Sequence, residues 1–353
     1  MQIDCRRDEG AWDALAEAWD ALHQRSATAT IFNSQTYARL WWRYFGLPGS
    51  LQLWTVTDGG ALVGLAPLCE IEDEQGNSVL RFVGGLDVSD YLDILAEPGR
   101  EEEVVAALLA GWADAPCRCP LDLHALRHAS PTREAFLRLA PGEGLTATEE
   151  REEVCPVITL PESWDAYLEQ LEGKQRRELR RKLRKAGQDA FVGWYPATPD
   201  TIEEEMEHFF RLHARSSADK AAFMTPPMRG FFLDLAVAFS ERGWLDLCFL
   251  LVNGTHAAAY LNFFFRNEVL VYNSGFDEQA EGIASPGWLL LSYSIEHAIS
   301  LGCTRYDFLR GDEGYKFRFG AHAEPIYHIR LERDAIPLPS PRRVTLPNHY
   351  CTR

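Results

Sequence analysis

The sequence predicts an α/β chain in which one unit, a mixed and mostly antiparallel sheet flanked by helices, occurs twice. Two turns, Asp58-Gly59-Gly60 and Asn253-Gly254, each join two apolar runs, and this turn chemistry is typical of β-hairpins. Each hairpin leads into a further β-rich run and then a helix of comparable length. Each helix leads into a strand that holds an aspartate, Asp122 or Asp307, between apolar neighbours. The shared order predicts an internal duplication.

The elements of the first half follow from local signals. Ser34 is a suitable N-cap for a helix that ends at Gly46. Alternation and turn residues predict the strands, and apolar residues at helical spacing predict the second helix. These elements are strands at 51–57 and 61–68, β-rich runs at 79–85 and 91–95, a helix at 101–115 and a strand through Asp122.

The second half repeats this order after additional helices. The predicted elements are a strand at 154–161, helices at 163–171, 174–186, 199–214 and 226–242, strands at 245–252, 256–265 and 268–276, a helix at 286–302 and a strand through Asp307. A polar, Gly-rich stretch at 141–153 suggests the boundary between the halves. We therefore divide the chain into an N-terminal half at 1–150, a C-terminal half at 151–336 and a Pro-rich tail at 337–353. Chance recurrence of common α/β elements is the alternative to duplication.

Composition limits the function. The chain has 353 residues, of which 46% are hydrophobic, so it can bury a core. Its net charge of −17 argues against a general nucleic-acid coat or an anionic-membrane binder. The N-terminus has no apolar signal region and no run approaches a membrane span, so we expect a cytoplasmic protein without membrane insertion. The eight scattered cysteines predict reduced thiols and no metal site.

One segment opposes the overall charge. Residues 174–185 hold eight basic side chains against the single acid Glu178, so the segment carries +7 and the remainder of the chain −24. Leu179, Leu183 and Ala186 share one face at helical spacing. The segment is either a solvated surface helix or a clamp for an anionic ligand such as nucleotide phosphates or an anionic acceptor.

The two copies differ where their main helices begin. The second starts Ser285-Pro286-Gly287, with Ser285 as the expected N-cap, and leaves backbone N–H groups and a positive dipole end for an anion. The first starts with three glutamates, Glu101 to Glu103, which would repel one. If one copy binds a phosphorylated ligand, we expect it to be the second. The alternative is that Ser-Pro-Gly is only a good helix start.

The segment after the second helix concentrates reactive groups. From Asp307 to Lys316 the chain places three carboxylates, a guanidinium, a phenol and an amine at a strand end. Ligands of α/β folds bind at such positions. A solvated loop with locally paired charges is the alternative, although Asp307 on an apolar strand needs a buried partner.

Six motifs together resemble the CelD-like acyltransferases of the GNAT superfamily, a group similar to the FemAB peptidyltransferases. They lie at 32–46, at the hairpin end 66–68, and at 89–95, 173–187, 285–290 and 306–320, and the resemblance spans nearly the whole chain. It implies two tandem GNAT-like domains and transfer of an acyl group, usually from acyl-coenzyme A (acetyl-CoA or longer), to an amine or hydroxyl. The first half would then be degenerate and lack a donor site.

The resemblance also implies roles for residues. The donor pyrophosphate would lie on the segment 281–288, including Ser285, Pro286, Gly287 and Trp288, and a strand bulge at Asn273-Ser274 would supply an oxyanion donor. For the chemistry it implies a base among Asp307, Asp312 and Glu313, Tyr315 as acid, and Lys316 or Arg310 on a substrate carboxylate or phosphate, with Tyr260 among candidate acceptor contacts. An equally serious alternative makes Asp307 and Lys316 a structural pair that orients the loop.

Three functions remain open from the sequence. One is an acyl-CoA-dependent N- or O-acyltransferase acting on a small molecule or a saccharide or lipid precursor. Another is a FemAB-like enzyme that takes an aminoacyl group from tRNA, because the segment at 281–287 lacks the superfamily's R/Q-x-x-G-x-G/A loop. The last is a non-catalytic scaffold or binding protein with the same fold.

Overall fold

The computed structural model describes residues 1–116, 119–189, 191–277, 279 and 285–333. The predicted tail at 337–353 and residues 281–284 of the predicted donor segment lie outside these ranges. The strands are β1 Gln2–Arg6, β2 Leu51–Asp58, β3 Ala61–Glu72, β4 Ser78–Phe82, β5 Leu95–Ala96, β6 Leu121–Arg127, β7 Leu145–Thr159, β8 Val192–Pro196, β9 Leu245–Val252, β10 Thr255–Phe265, β11 Glu268–Phe276, β12 Arg305–Asp307 and β13 His322–Arg333. The helices are α1 Ala11–Arg25, α2 Gln35–Phe45, α3 Glu101–Asp114, α4 Pro131–Leu139, α5 Trp164–Gln170, α6 Gly173–Asp189, α7 Ile202–Ser216, α8 Ala218–Phe223, α9 Pro226–Glu241, α10 Pro286–Ser300 and α11 Gly314–Arg318.

The strands form one mixed sheet that runs through both halves. Its order is β1-β2-β3-β4-β6-β13-β7-β12-β11-β10-β9-β8, and β5 pairs with β3. Among the described pairings, only β4 with β6 and β11 with β12 are parallel. The predicted fold class, an α/β chain with a mostly antiparallel sheet and flanking helices, is confirmed.

Both halves follow the same path through this sheet. In the first, β2, β3 and β4 are successive antiparallel neighbours, and the chain then crosses through α3 to the parallel strand β6. In the second, β9, β10 and β11 repeat that order and α10 leads to the parallel strand β12. The repeated path fits the tandem arrangement predicted from the order of signals.

Three local expectations need correction. The run 91–95 is not a strand but an extended loop that joins β5 only at Leu95, because Leu92 N–H donates to the carbonyl of Ala125 outside any ladder. The polar stretch at 141–153 is mostly the start of β7, whose alternate residues face solvent while its backbone pairs with β13. The bulge in β11 lies at Tyr272, one residue before the predicted position, because Leu261 pairs with Asn273 and Asn262 with Val271.

The strand β7 runs without interruption through position 150, where we divided the chain, and β13 lies between β6 and β7. The two halves thus share the centre of the sheet, while the exact domain limits stay a prediction. Helix α6 has the predicted seam, since Leu179 and Ala186 are buried and Leu183 packs against the same core. None of the helices in the described ranges is long and apolar enough to cross a membrane.

Candidate active site

A cavity of about 470 Å³ opens at the start of α10. Strands β10 and β11 form one wall, α10 forms the floor, and the segment after β12 closes one side. Its lining residues are Tyr260, Ser274, Phe276, Ser285, Pro286, Gly287, Trp288, Leu291 and Tyr315. Seven of these residues come from the site predicted above, so the structure brings donor-binding and acceptor-binding candidates to one place. Their roles stay predictions.

The start of α10 is not capped by a side chain. Ser285 is the N-cap residue, as predicted, but its backbone is left-handed with φ of 79° and its hydroxyl makes no capping hydrogen bond. The amides of Gly287 and Trp288 have no partner within the helix by α-helix geometry, and both residues line the cavity. An anion in the cavity would therefore meet free N–H groups at the positive end of the helix dipole.

The β11 wall has an ordered polar corner at Ser274. The Ser274 N–H donates to Oδ1 of Asn273 at 2.8 Å, and Asn273 itself is not among the lining residues. Lys220 of α8 donates from Nζ to the Ser274 carbonyl at 2.5 Å and to its hydroxyl at 3.3 Å. Burial lowers the pKa of Lys220 to about 8, against the opposing charge of Glu313. Sequence analysis missed Lys220, because a lysine on a six-residue helix carries no motif.

Two phenols face the same cavity. Burial, with a smaller contribution from Glu313, raises the pKa of Tyr315 to about 12, and burial raises the pKa of Tyr260 well above its ordinary value. The Tyr260 hydroxyl lies 3.4 Å from the carbonyl of Gly287. Both groups therefore stay protonated near neutral pH and can act as hydrogen-bond or proton donors.

The basic helix α6 lies beside this cavity. Nζ of Lys182 sits 4.0 Å from the ring centre of Trp288, which lines the cavity, and it also pairs with Glu178 at 3.3 Å. The Trp288 ring in turn packs against Phe319, with ring centres 4.6 Å apart. The basic segment found in the sequence therefore contacts a cavity-lining residue through Lys182 and does not lie on a remote surface.

Asp307 does not line the cavity. Its carboxylate is fully buried, accepts a hydrogen bond from the Tyr91 hydroxyl at 2.8 Å and another from Leu309 N–H at 2.8 Å. Burial raises its pKa to about 6, although the nearby Arg127 and the Tyr91 bond favour the charged form. The predicted base is therefore held between the two halves of the chain.

Lys316 is buried and holds the loop after β12. Its Nζ donates to the carbonyls of Arg310 and Gly311, both at 3.0 Å, and pairs with Glu313 at 2.8 Å. Its partner is thus Glu313 and not Asp307, so the Asp307–Lys316 pair considered above is wrong. The loop after β12 folds back, so the Lys316 side chain lies over backbone carbonyls of the same loop. Burial opposes ionisation of Glu313, but the Lys316 bond and charge keep its pKa below the ordinary value.

Arg310 also contacts the protein rather than the cavity. Its guanidinium pairs with Asp90 at 3.0 Å and donates to the carbonyls of Ser89 and Leu86. The motif at 306–320 and the motif at 89–95 are therefore partners across the halves. Asp312, the remaining predicted base, is exposed at the surface of this loop.

Comparisons with known proteins agree with this geometry. Residues 173–317, which lie within the second half, match the family model described as an acetyltransferase (GNAT) domain. That segment contains α6, every residue that lines the cavity, and the loop up to Lys316. A search of curated proteins finds no match.

Solved structures resemble the whole chain. FemX is 11% identical with a TM-score of 0.63, covering 92% of this chain and 96% of FemX. A conserved protein of unknown function from Bacteroides thetaiotaomicron is 14% identical with a TM-score of 0.62, covering 94% and 100%. The C-terminal domain of a putative lysylphosphatidylglycerol synthetase from Agrobacterium fabrum is 11% identical with a TM-score of 0.55, covering 90% and 92%. At these identities the likenesses show the fold.

Proposed function

We propose that this protein is a CelD-like acyltransferase that moves an acyl group from acyl-CoA to an amine or hydroxyl of a small-molecule, saccharide or lipid-precursor acceptor. The observation that carries the proposal is the cavity at the uncapped start of α10, within the segment that matches the acetyltransferase domain. The amides of Gly287 and Trp288 would bind the donor pyrophosphate, and Lys182 on α6 would add positive charge at the cavity edge.

The reaction needs groups that move protons at the cavity. An acceptor amine or hydroxyl attacks the thioester carbon, its proton passes to a base, and the departing thiolate takes a proton from an acid. Tyr315 would serve as the acid, because its phenol is protonated and can give a proton to the thiolate. Lys220 would serve as base, because a pKa of about 8 leaves a neutral amine available near neutral pH. Asp307, Lys316 and Arg310 would act as positioning residues for the loop that carries Tyr315.

Calorimetric titration of the protein with acetyl-CoA and with longer acyl-CoA esters tests the donor. We expect saturable binding of at least one ester, and no binding of any ester would refute the proposal. Tyr315→Phe and Lys220→Met should each lower turnover by roughly a hundredfold with little change in donor affinity, which is the size of a general acid or base effect. Lys220→Arg distinguishes a role of Lys220 as base from a role as a positive charge, since arginine keeps the charge but does not accept a proton.

The second candidate is aminoacyl transfer from tRNA. The position of α6 beside the cavity favours this candidate. Eight basic residues are more than one pyrophosphate requires, and they suit a polyanion such as tRNA. Binding of tRNA whose affinity falls steeply with salt, together with no affinity for acyl-CoA, would select this candidate. If the protein binds neither class of donor, a non-catalytic scaffold becomes the better account.

A further inference from the structure

A second group of chemically reactive side chains lies away from the cavity, where α7 packs on β10 and its Glu205 meets Tyr195 of the edge strand β8. Glu205 and His208 are one turn apart on α7, and His256 is at the start of β10. One potential ligand atom from each residue lies within 4.8 Å of the others. All three residues are partly buried, so water and ions reach them from one side only.

Hydrogen bonds orient this group. The hydroxyl of Tyr195 on β8 lies 2.7 Å from Nε2 of His256 and 3.0 Å from both carboxylate oxygens of Glu205. The rings of His208 and His256 stack with centres 4.1 Å apart.

We propose that Glu205, His208 and His256 form a binding site for a divalent transition-metal ion of the zinc type. Two histidines and one carboxylate are a common ligand set for zinc, with the fourth position left to water. Ligand distances of about 2.0–2.2 Å bring the ligand atoms of one tetrahedral ion to about 3.4 Å from each other. Side-chain rotations of His208 and Glu205 on the open face of α7 close the remaining gap. The ion joins α7 to β10.

A second cluster of the same residue types supplies the contrast. Asp122, His124 and His328 also lie within ligand distance of one another. There Arg81 pairs with Asp122 at 2.6 Å and Arg330 lies 3.5 Å from it, so two guanidinium groups already occupy the carboxylate. The two guanidinium charges beside this cluster repel a metal ion.

One basic residue also faces the proposed site. Arg211, one turn after His208, lies with its guanidinium 2.7 Å from Nδ1 of that ring. In metal binding this exposed side chain moves away or leaves His208 to ligate through its other nitrogen. Removing the charge with Arg211→Gln should therefore tighten metal binding, because one positive charge next to the ion is lost.

The experiment is a zinc titration of the full chain after treatment with EDTA, followed by calorimetry and by the visible spectrum of a Co²⁺-substituted sample. We expect one saturable site and a four-coordinate Co²⁺ spectrum, with no comparable binding of Mg²⁺. Glu205→Gln and His208→Ala should each weaken zinc at least tenfold, since even loss of an outer partner of a ligand costs about 10–100-fold. Both positions lie on the partly exposed helix α7, and far-ultraviolet circular dichroism checks that each variant is folded.

The matched control is His328→Ala, which removes a histidine from the other cluster and should leave zinc affinity unchanged. The proposal is overturned if the wild-type chain shows no saturable zinc site, or if Glu205→Gln and His208→Ala bind zinc as the wild type does. Loss of binding in His328→Ala alone would also overturn it, by assigning the ion to the Asp122 cluster. Tighter binding in Arg211→Gln would support the site, and weaker binding would contradict it.

Discussion

Asp122 and Asp307 occupy matching places in the two halves, each on the parallel strand that follows the main helix. Asp122 on β6 is paired with Arg81 and hydrogen-bonded by His124 and His328, and these partners outweigh burial and hold its pKa well below the usual range. Asp307 on β12 has the neutral hydroxyl of Tyr91 as its closest side-chain partner, and burial raises its pKa to about 6. The same residue in the same fold position is thus a fixed anion in one half and a titratable group in the other.

The helix starts differ in the same way. At the start of α3 a cavity of about 390 Å³ is lined by Glu101, Glu102 and Glu103, with Arg138 paired to Glu102. Among the described residues that line the cavity at the start of α10 none carries a carboxylate, and Gly287 and Trp288 of the first helical turn belong to that lining. The prediction that the first half lacks a donor site and that the second half carries the chemistry depends on this difference. Four substitutions test this division.

The largest effect should come from Asp122→Ala. It leaves Arg81 and two histidines without their shared carboxylate, and breaking a buried pair costs about 3–5 kcal/mol of unfolding free energy. Because the pKa of Asp122 is depressed in the folded state, this cost is fully present at pH 7, is smaller at about pH 3, and is lost only when pH falls through the depressed folded-state pKa. Urea unfolding at both pH values measures it. Asp58→Ala, in an exposed pair with Arg100, is the control, and an equal loss there would contradict the assignment.

Asp307→Asn should remove a pH dependence of stability whose sign is opposite to that contributed by Asp122. The folded-state pKa of about 6 lies above the unfolded value, so the wild-type free energy of unfolding falls by roughly 3 kcal/mol as pH rises from about 4 to 6. Asparagine cannot ionise, so the variant should lose this slope. Unfolding curves at several pH values check the result, and an unchanged slope would show that Asp307 is not the titrating group.

Lys316→Met should destabilise the protein by about 2 kcal/mol, because three loop carbonyls lose their buried donor while the side chain keeps its length. Turnover should fall by more than tenfold if the loop positions Tyr315. Lys174→Met on exposed α6 is the matched control for stability. A variant with full stability and full turnover would remove Lys316 from both roles.

The smallest effect should come from Ser285→Asp. A carboxylate at the start of α10 imitates the glutamates of α3 and should weaken acyl-CoA binding by about 1 kcal/mol, or roughly fivefold. Ser285→Asn has nearly the same shape, tolerates the left-handed backbone and carries no charge, so its affinity should match the wild type. Equal weakening in both variants would point to a steric cause instead of the helix dipole.

Much of the local structure could be predicted from the sequence. Turn residues located both hairpins, Ser34 capped α2 as expected, and apolar spacing located α3, α6 and α10. These features depend on neighbours within a few residues. The sequence located the N-cap position at Ser285 but not its left-handed backbone or the missing side-chain bond, because a good capping residue is not enough to impose a capping conformation.

The sequence by itself determined the repeated path of the chain and the anomalous charge of α6, because periodicity, turn chemistry and charge are written in consecutive residues, while the resemblance to a known family pointed to most of the residues that line the cavity. Only the tertiary structure decided which groups act together. Asp90 and Tyr91 meet Arg310 and Asp307 across more than two hundred positions, Lys220 reaches Ser274 from a short helix, and His256 joins Glu205 and His208. Burial and distance between remote residues set these pairings, and neither quantity can be read from local sequence.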